Sequence, residues 1–198
     1  MTTRDDDNRL VPLIAVGAAP RTVFTVLAEE ERLIVRSDWR SLLHLAARSE
    51  QPAVRHYFSG LAAGEELALA RLAALTEALG LTGSPDDYRP RPDCQAYPHY
   101  FAWLALNAEP TEVAVAMTAN FAAWGRYCAA IAKAMRAHYG FADAACGFFD
   151  LFAQPLPDDD AVAAVQAGID DKTLNPARAR RYAVLFQSYE LQFWNSID

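Results

Sequence analysis

The sequence predicts an all-α fold, a bundle of about seven helices. Three observations lead there. Apolar residues recur at three- and four-residue intervals through most of the chain instead of alternating. Alanine, leucine, glutamate and arginine, all strong helix formers, are abundant. Proline and glycine gather at a few places that cut the chain into helix-length pieces.

Each element follows from those cuts. Residues 1–20 read as a flexible or short helical lead-in to a single domain spanning 1–198. A helix over 21–49 carries the stripe Phe24, Leu27, Ile34, Asp38, Leu42, Leu45 and stops at Gln51-Pro52. A second, over 53–79, ends at Gly80. The run from Gly83-Ser84-Pro85 to Arg89-Pro90-Arg91-Pro92 has too many fixed backbones and missing donors to stay helical. Helices resume over 95–108, 111–138 and 142–152. That over 111–138 is apolar on nearly every side, which places it near the centre of the bundle. Asp158, Asp159 and Asp160 suit the positive end of a short helix that follows. The last helix opens with Asn175 as its N-cap and Pro176 in its first position.

Composition narrows the function. A chain of 198 residues can bury roughly 70% of its unfolded surface. Its hydrophobic content of 53% is high for a monomer, and the excess is expected in an apolar pocket or in the interface of a homodimer or homotetramer. A formal charge of -7 argues against a nucleic-acid partner. Arg178, Arg180 and Arg181 read as a solvated helix face. No apolar run approaches the ~18 residues that span a bilayer, and residues 1–8 are acidic and polar, unlike a secretory leader. No membrane partner and a cytoplasmic location are the expectations. Cys94, Cys128 and Cys146 lack metal-like spacing and read as small buried hydrophobes. His44, His56, His99 and His138 form no Glu-x-x-His or His-x-x-x-His pair, so neither metal nor other cofactor is expected.

Two carboxylates stand out. In the last helix Tyr182, Phe186, Tyr189, Glu190, Phe193 and Trp194 fall on one side, with an acid inside an aromatic stripe. Asp38 sits in the same way within the stripe of the first long helix. Buried carboxylates are costly unless a donor or a cation meets them. Glu31 shares the face of Asp38 one heptad earlier, as a second pocket acid or as a salt-bridge partner.

Four stretches resemble the TenA / thiaminase II family. They are Tyr97-Pro98-His99-Tyr100 with the helix after it, Trp124-Gly125-Arg126-Tyr127, Phe148-Phe149-Asp150-Leu151-Phe152-Ala153, and Glu190-Leu191-Gln192-Phe193-Trp194. The last matches the closing E-x-x-FW motif and is the most specific. Ser37-Asp38-Trp39 is similar to the family's QD-aromatic segment. The resemblance implies a haem-oxygenase-like fold and a pocket for a small aromatic, aminopyrimidine-like ligand derived from thiamin. By position it makes Asp38 the acceptor for the pyrimidine edge and Glu190 the general acid/base. Tyr97, Tyr127, Phe152 and Tyr189 become the surrounding rings.

Two departures accompany it. The family's cysteine nucleophile, four residues before the central tyrosine, is replaced by Ala123. Cys128 lies five residues on, about 140° round the helix at roughly 100° per residue, and does not stand in. Phe152 replaces a tyrosine of the family's pocket and lacks its hydroxyl. Three readings stay open: a hydrolase using Glu190 and an activated water, a binding or regulatory protein that kept the pocket, and an oxygenase or cofactor-free oxidase of the same fold.

Overall fold

A computed structural model describes residues 7–155 and 157–197; part of the expected lead-in, residues 1–6, lies outside them. Among the described residues there are eight α-helices and no strand. They are α1 (Leu10–Ala15), α2 (Thr22–Arg48), α3 (Pro52–Ala78), α4 (Pro92–Asn107), α5 (Pro110–His138), α6 (Asp143–Ala153), α7 (Asp159–Asp170) and α8 (Pro176–Ser196). The helix beyond the expected seven is α1, a short segment of the lead-in that buries Leu10, Val11 and Ile14.

Proline sets several of the starts. Pro52, Pro92, Pro110 and Pro176 each open their helix, where the missing N–H would have had no partner in any case. For this reason α4 begins three residues before the expected 95, and Pro98 lies inside it. Asn175 caps α8 by accepting from the Arg178 backbone N–H. Asp159 and Asp160 occupy the first turn of α7.

The helix α5 is central, packing on α1, α6, α7 and α8 and touching α3 and α4. The arginines of α8 do not all lie on a solvated face. Arg178 donates to both oxygens of Glu112, each at 2.6 Å, and Glu112 is fully buried in the first turn of α5. A buried carboxylate needs such a donor, so the pair locks the starts of α5 and α8 together.

Two apolar cores fill the bundle. One gathers Ile14, Phe24, Leu27, Leu72, Met135, Phe148, Phe149 and Trp194. The other gathers Leu42, Leu45, Phe58, Phe101, Leu104, Val113 and Phe186. Five helices pass from one core to the other, and each carries a polar residue at the crossing. In α2 the change falls between Val35 and Leu42, around Asp38. In α3 it falls between Ala62 and Ala68, around Glu65; in α4 between Cys94 and Phe101, around Tyr97. In α5 it falls between Met117 and Cys128, around Asn120, and in α8 between Phe186 and Phe193, around Glu190. The polar layer between the cores is where the site forms.

Candidate functional site

A cavity of about 660 Å³ opens in this layer, within the ~300–1,000 Å³ usual for small-molecule sites. Glu31, Asp38, Glu65, Tyr97, Asn120 and Glu190 supply polar groups to its wall, and Phe121, Trp124, Phe152 and Phe193 supply rings. Helix periodicity explains the set. Glu31, Ile34, Asp38 and Leu42 follow one another along a single face of α2, while Gly64 and Glu65 on α3 form part of the same wall.

Asp38 is 6% exposed, and its Oδ1 is buried without a hydrogen-bond partner. Burial pushes its carboxyl up from the ordinary range to about 8, and a hydrogen bond with the Tyr97 side chain pulls the other way. Glu31, 3% exposed, is driven well above the usual range, first by burial and then by the charges of Asp38, Glu30 and Glu190. Glu65 moves in the same direction through burial and the charges of Asp38 and Glu31. Tyr97 stands among four of the cavity's acids. Burial raises its phenol, and so do the charges of Asp38, Glu190, Glu65 and Glu31.

Glu190 is held from two sides. Its Oε2 accepts from the Asn120 amide, and its Oε1 accepts from Trp194 Nε1 at 3.1 Å. Trp194 in turn packs on Trp124 and Tyr127, at 5.2 and 5.6 Å between ring centroids. The carboxylate is thus fixed in orientation at the cavity wall. Tyr57 and Thr118 add a pair of hydroxyls 3.1 Å apart along the same lining.

Asp38, Glu190, Tyr97 and Phe152 come together at the cavity. Tyr127 lies behind Glu190, lining a smaller space of about 230 Å³ that shares Asn120, Arg126 and Glu190 with the larger one. The ring of Tyr189 faces elsewhere. It packs on Tyr100 at 5.1 Å, in an outer cluster that includes Trp103 and Tyr182. The aromatic stripe of α8 therefore divides, with Phe186, Phe193 and Trp194 inward and Tyr182 and Tyr189 at the edge. Within the described residues, helices α2 and α8 are not among the closely packed pairs. Helix α4 lies against both α2 and α8 and carries Tyr97 between the two acids.

Sequence reasoning missed Glu65 and Asn120. Glu65 had a signal, because it continues Leu61, Ala68 and Leu72 along one face of α3. Asn120 likewise follows Val113 and Met117. All four histidines are exposed and none lines the cavity. This donor set does not fit an iron ligand for haem. Among the described residues no group of three or more His, Cys, Asp or Glu is placed to hold a metal ion.

An all-α bundle with an acid-and-aromatic cavity between two cores defines the class, a helical protein of haem-oxygenase-like fold. Among solved structures the chain is similar to a TenA homologue from P. horikoshii, with a TM-score of 0.71 and 16% identity over 98% of this chain and 90% of that one. A TenA family transcription regulator from Silicibacter sp. gives 0.65 and 19% identity, covering 94% and 86%. A domain with a heme oxygenase-like fold from Shewanella denitrificans gives 0.69 and 11%, covering 97% and 84%. No protein of curated function matches. The sequence matches the TENA/THI-4/PQQC family over residues 9–197, and the chain belongs to that family.

Proposed function

We propose that the protein binds an aminopyrimidine derived from thiamin and hydrolyses the C–N bond between its exocyclic methylene carbon and an amine. The observation that supports this most is Asp38, a buried carboxyl with an unsatisfied oxygen lining a ring-lined cavity. In its protonated form a carboxyl offers one O–H donor and one C=O acceptor side by side. An aminopyrimidine presents the complement, a ring nitrogen that accepts and an amino group that donates. Phe121, Trp124 and Phe152 offer faces for stacking.

Glu190 is the group for proton transfer. In this reading it takes a proton from water, the water oxygen bonds to the methylene carbon, and the C–N bond breaks as the proton passes to the leaving amine. Water fills the nucleophile's role because the three cysteines are buried and none lines the cavity. Alanine at position 123 lines the smaller space behind Glu190.

A homo-oligomer is part of this proposal. Trp103, Leu106 and Leu185 leave apolar surface open on α4 and α8, with Trp103 49% exposed. The experiment is a calorimetric titration with 4-amino-5-hydroxymethyl-2-methylpyrimidine beside a hydrolysis assay on its amine precursors. Binding with turnover supports the hydrolase. Binding without turnover leaves a carrier or regulatory pocket, and no binding ends the reading.

A further inference from the structure

The base of the proposed reaction stands where carboxyls tend to hold protons. Glu190 is 5% exposed. Around the same cavity Glu31 and Asp38 come from α2, Glu65 from α3 and Tyr97 from α4. Helix α5 brings Arg126, which lines both spaces beside Glu190, together with Tyr127 and the buried Cys128. Helix α1 has no titratable side chain. Burial drives Glu31, Asp38 and Glu65 upward, and the charge of Glu190 adds to the rise at Glu31, Tyr97 and Cys128. Glu190 shares this setting. Protonated, it could not take a proton from water, so the reaction needs a device that keeps this one acid ionised.

Its hydrogen bonds supply that device. Oε2 accepts from the Asn120 amide and Oε1 accepts from Trp194 Nε1 at 3.1 Å. An indole N–H can only donate. The Asn120 amide, itself 5% exposed, presents its N–H side; turned over, its carbonyl would face a carboxylate oxygen and the two would repel. Two buried N–H donors, one on each oxygen, favour the charged form of a carboxyl and fix its plane. Neither donor titrates, so their hold does not fade as pH changes. The indole has no room to swing away. Trp194 is fully buried, with the rings of Trp124, Tyr127 and Phe193 at 5.1 to 5.6 Å from its own. Asp38 lacks such a grip, since its Oδ1 is buried without a partner.

We propose that Asn120 and Trp194 are positioning residues that hold Glu190 ionised and in a single orientation, and so make it the base beside Glu31, Asp38 and Glu65. This role rests on Glu190 moving the proton, as in the proposed function, and not on the identity of the ring. Arg126 adds a positive charge along the same wall and works in the same direction, so the two donors are tested one at a time.

The test follows glutamate side chains by NMR in protein labelled with carbon-13 at the carboxyl carbon, with Glu190 assigned by its absence in Glu190→Gln. Titrations with pH compare the wild type with Asn120→Leu, which keeps the size and removes the amide, and with Trp194→Phe, which keeps a ring and removes the N–H. Thermal melts confirm that each variant is folded, and each is read independently of the other. Wild-type Glu190 is expected to be ionised at neutral pH. In each variant its midpoint is expected to rise by about one pH unit or more, a tenfold change in proton affinity. The acid limb of kcat/KM should move up with it, while binding of 4-amino-5-hydroxymethyl-2-methylpyrimidine stays largely unchanged. A wild-type Glu190 protonated at neutral pH, or a midpoint unmoved in either folded variant, would overturn the assignment. The two readings fail separately. Shifted midpoints without hydrolysis of any amine precursor retain the held carboxylate and remove the hydrolase; hydrolysis with unmoved midpoints does the reverse.

Discussion

Asp38 and Glu190 are given different work by their surroundings. Asp38 has a buried oxygen with no partner, whereas Glu190 is gripped by Asn120 and Trp194. Asp38→Ala is therefore expected to weaken aminopyrimidine binding by roughly ten- to a hundredfold, the cost of leaving the ligand's buried donor and acceptor unsatisfied. Glu190→Gln keeps shape and loses proton transfer; titration should find binding largely intact, and kinetics a turnover lower by about a hundredfold or more. Asp38 also carries a pH signature. Its carboxyl is raised to about 8 by burial, against roughly 3.9 in an unfolded chain. The folded state then holds the extra proton, so this group's contribution is fully present below about pH 4 and is lost as pH rises toward about 8. Asp38→Asn mimics the protonated form. The variant should melt near the wild type at pH 4 and above it at pH 8. A difference in melting temperature that stays flat or changes in the opposite sense would refute the buried, unpaired acid.

At the scale of elements, contact between helices depends on small residues at close approaches. Gly168 in α7 is such a place, because a Cβ there would lie 2.6 Å from Thr111 Cβ in α5. Thr111 is fully buried and its branched side chain cannot swing away. Gly168→Ala is expected to cost about 1–3 kcal/mol by overpacking, outweighing the ~1 kcal/mol that alanine brings to a helix interior. Chemical denaturation measures it. Element starts were largely legible from proline positions, and the cap of α8 was legible to the residue. The start of α4 was not. The proline-rich run over 83–92 reads as loop to its last residue, yet Pro92 itself opens α4. The division of the α8 stripe was also hidden, since periodicity fixes a side of the helix but not which neighbour covers each edge. Tyr189 points away from the cavity because Tyr100 of α4 receives its ring.

Across the whole molecule, the site is the layer where two apolar cores meet. One polar residue interrupts the apolar face of each of α2, α3, α4, α5 and α8, and the bundle brings all five interruptions to one level. Asp38 and Glu190 could be read from single stripes. That five such interruptions share a layer depends on how helices far apart in sequence align, and no stripe read alone contains it. The exposed Trp103, Leu106 and Leu185 belong to this scale as well. Light scattering is expected to give a dimer or tetramer, and a monomer near 21.8 kDa over a wide concentration range would contradict that. The central claim is that Asp38 and Glu190 serve one ligand in one cavity. A crystal structure of the protein grown with 4-amino-5-hydroxymethyl-2-methylpyrimidine tests it most directly. The ring is expected inside the cavity, its amino edge hydrogen-bonded to Asp38 and its methylene substituent facing Glu190. A ring bound elsewhere, or bound in the cavity without touching Asp38, would contradict it.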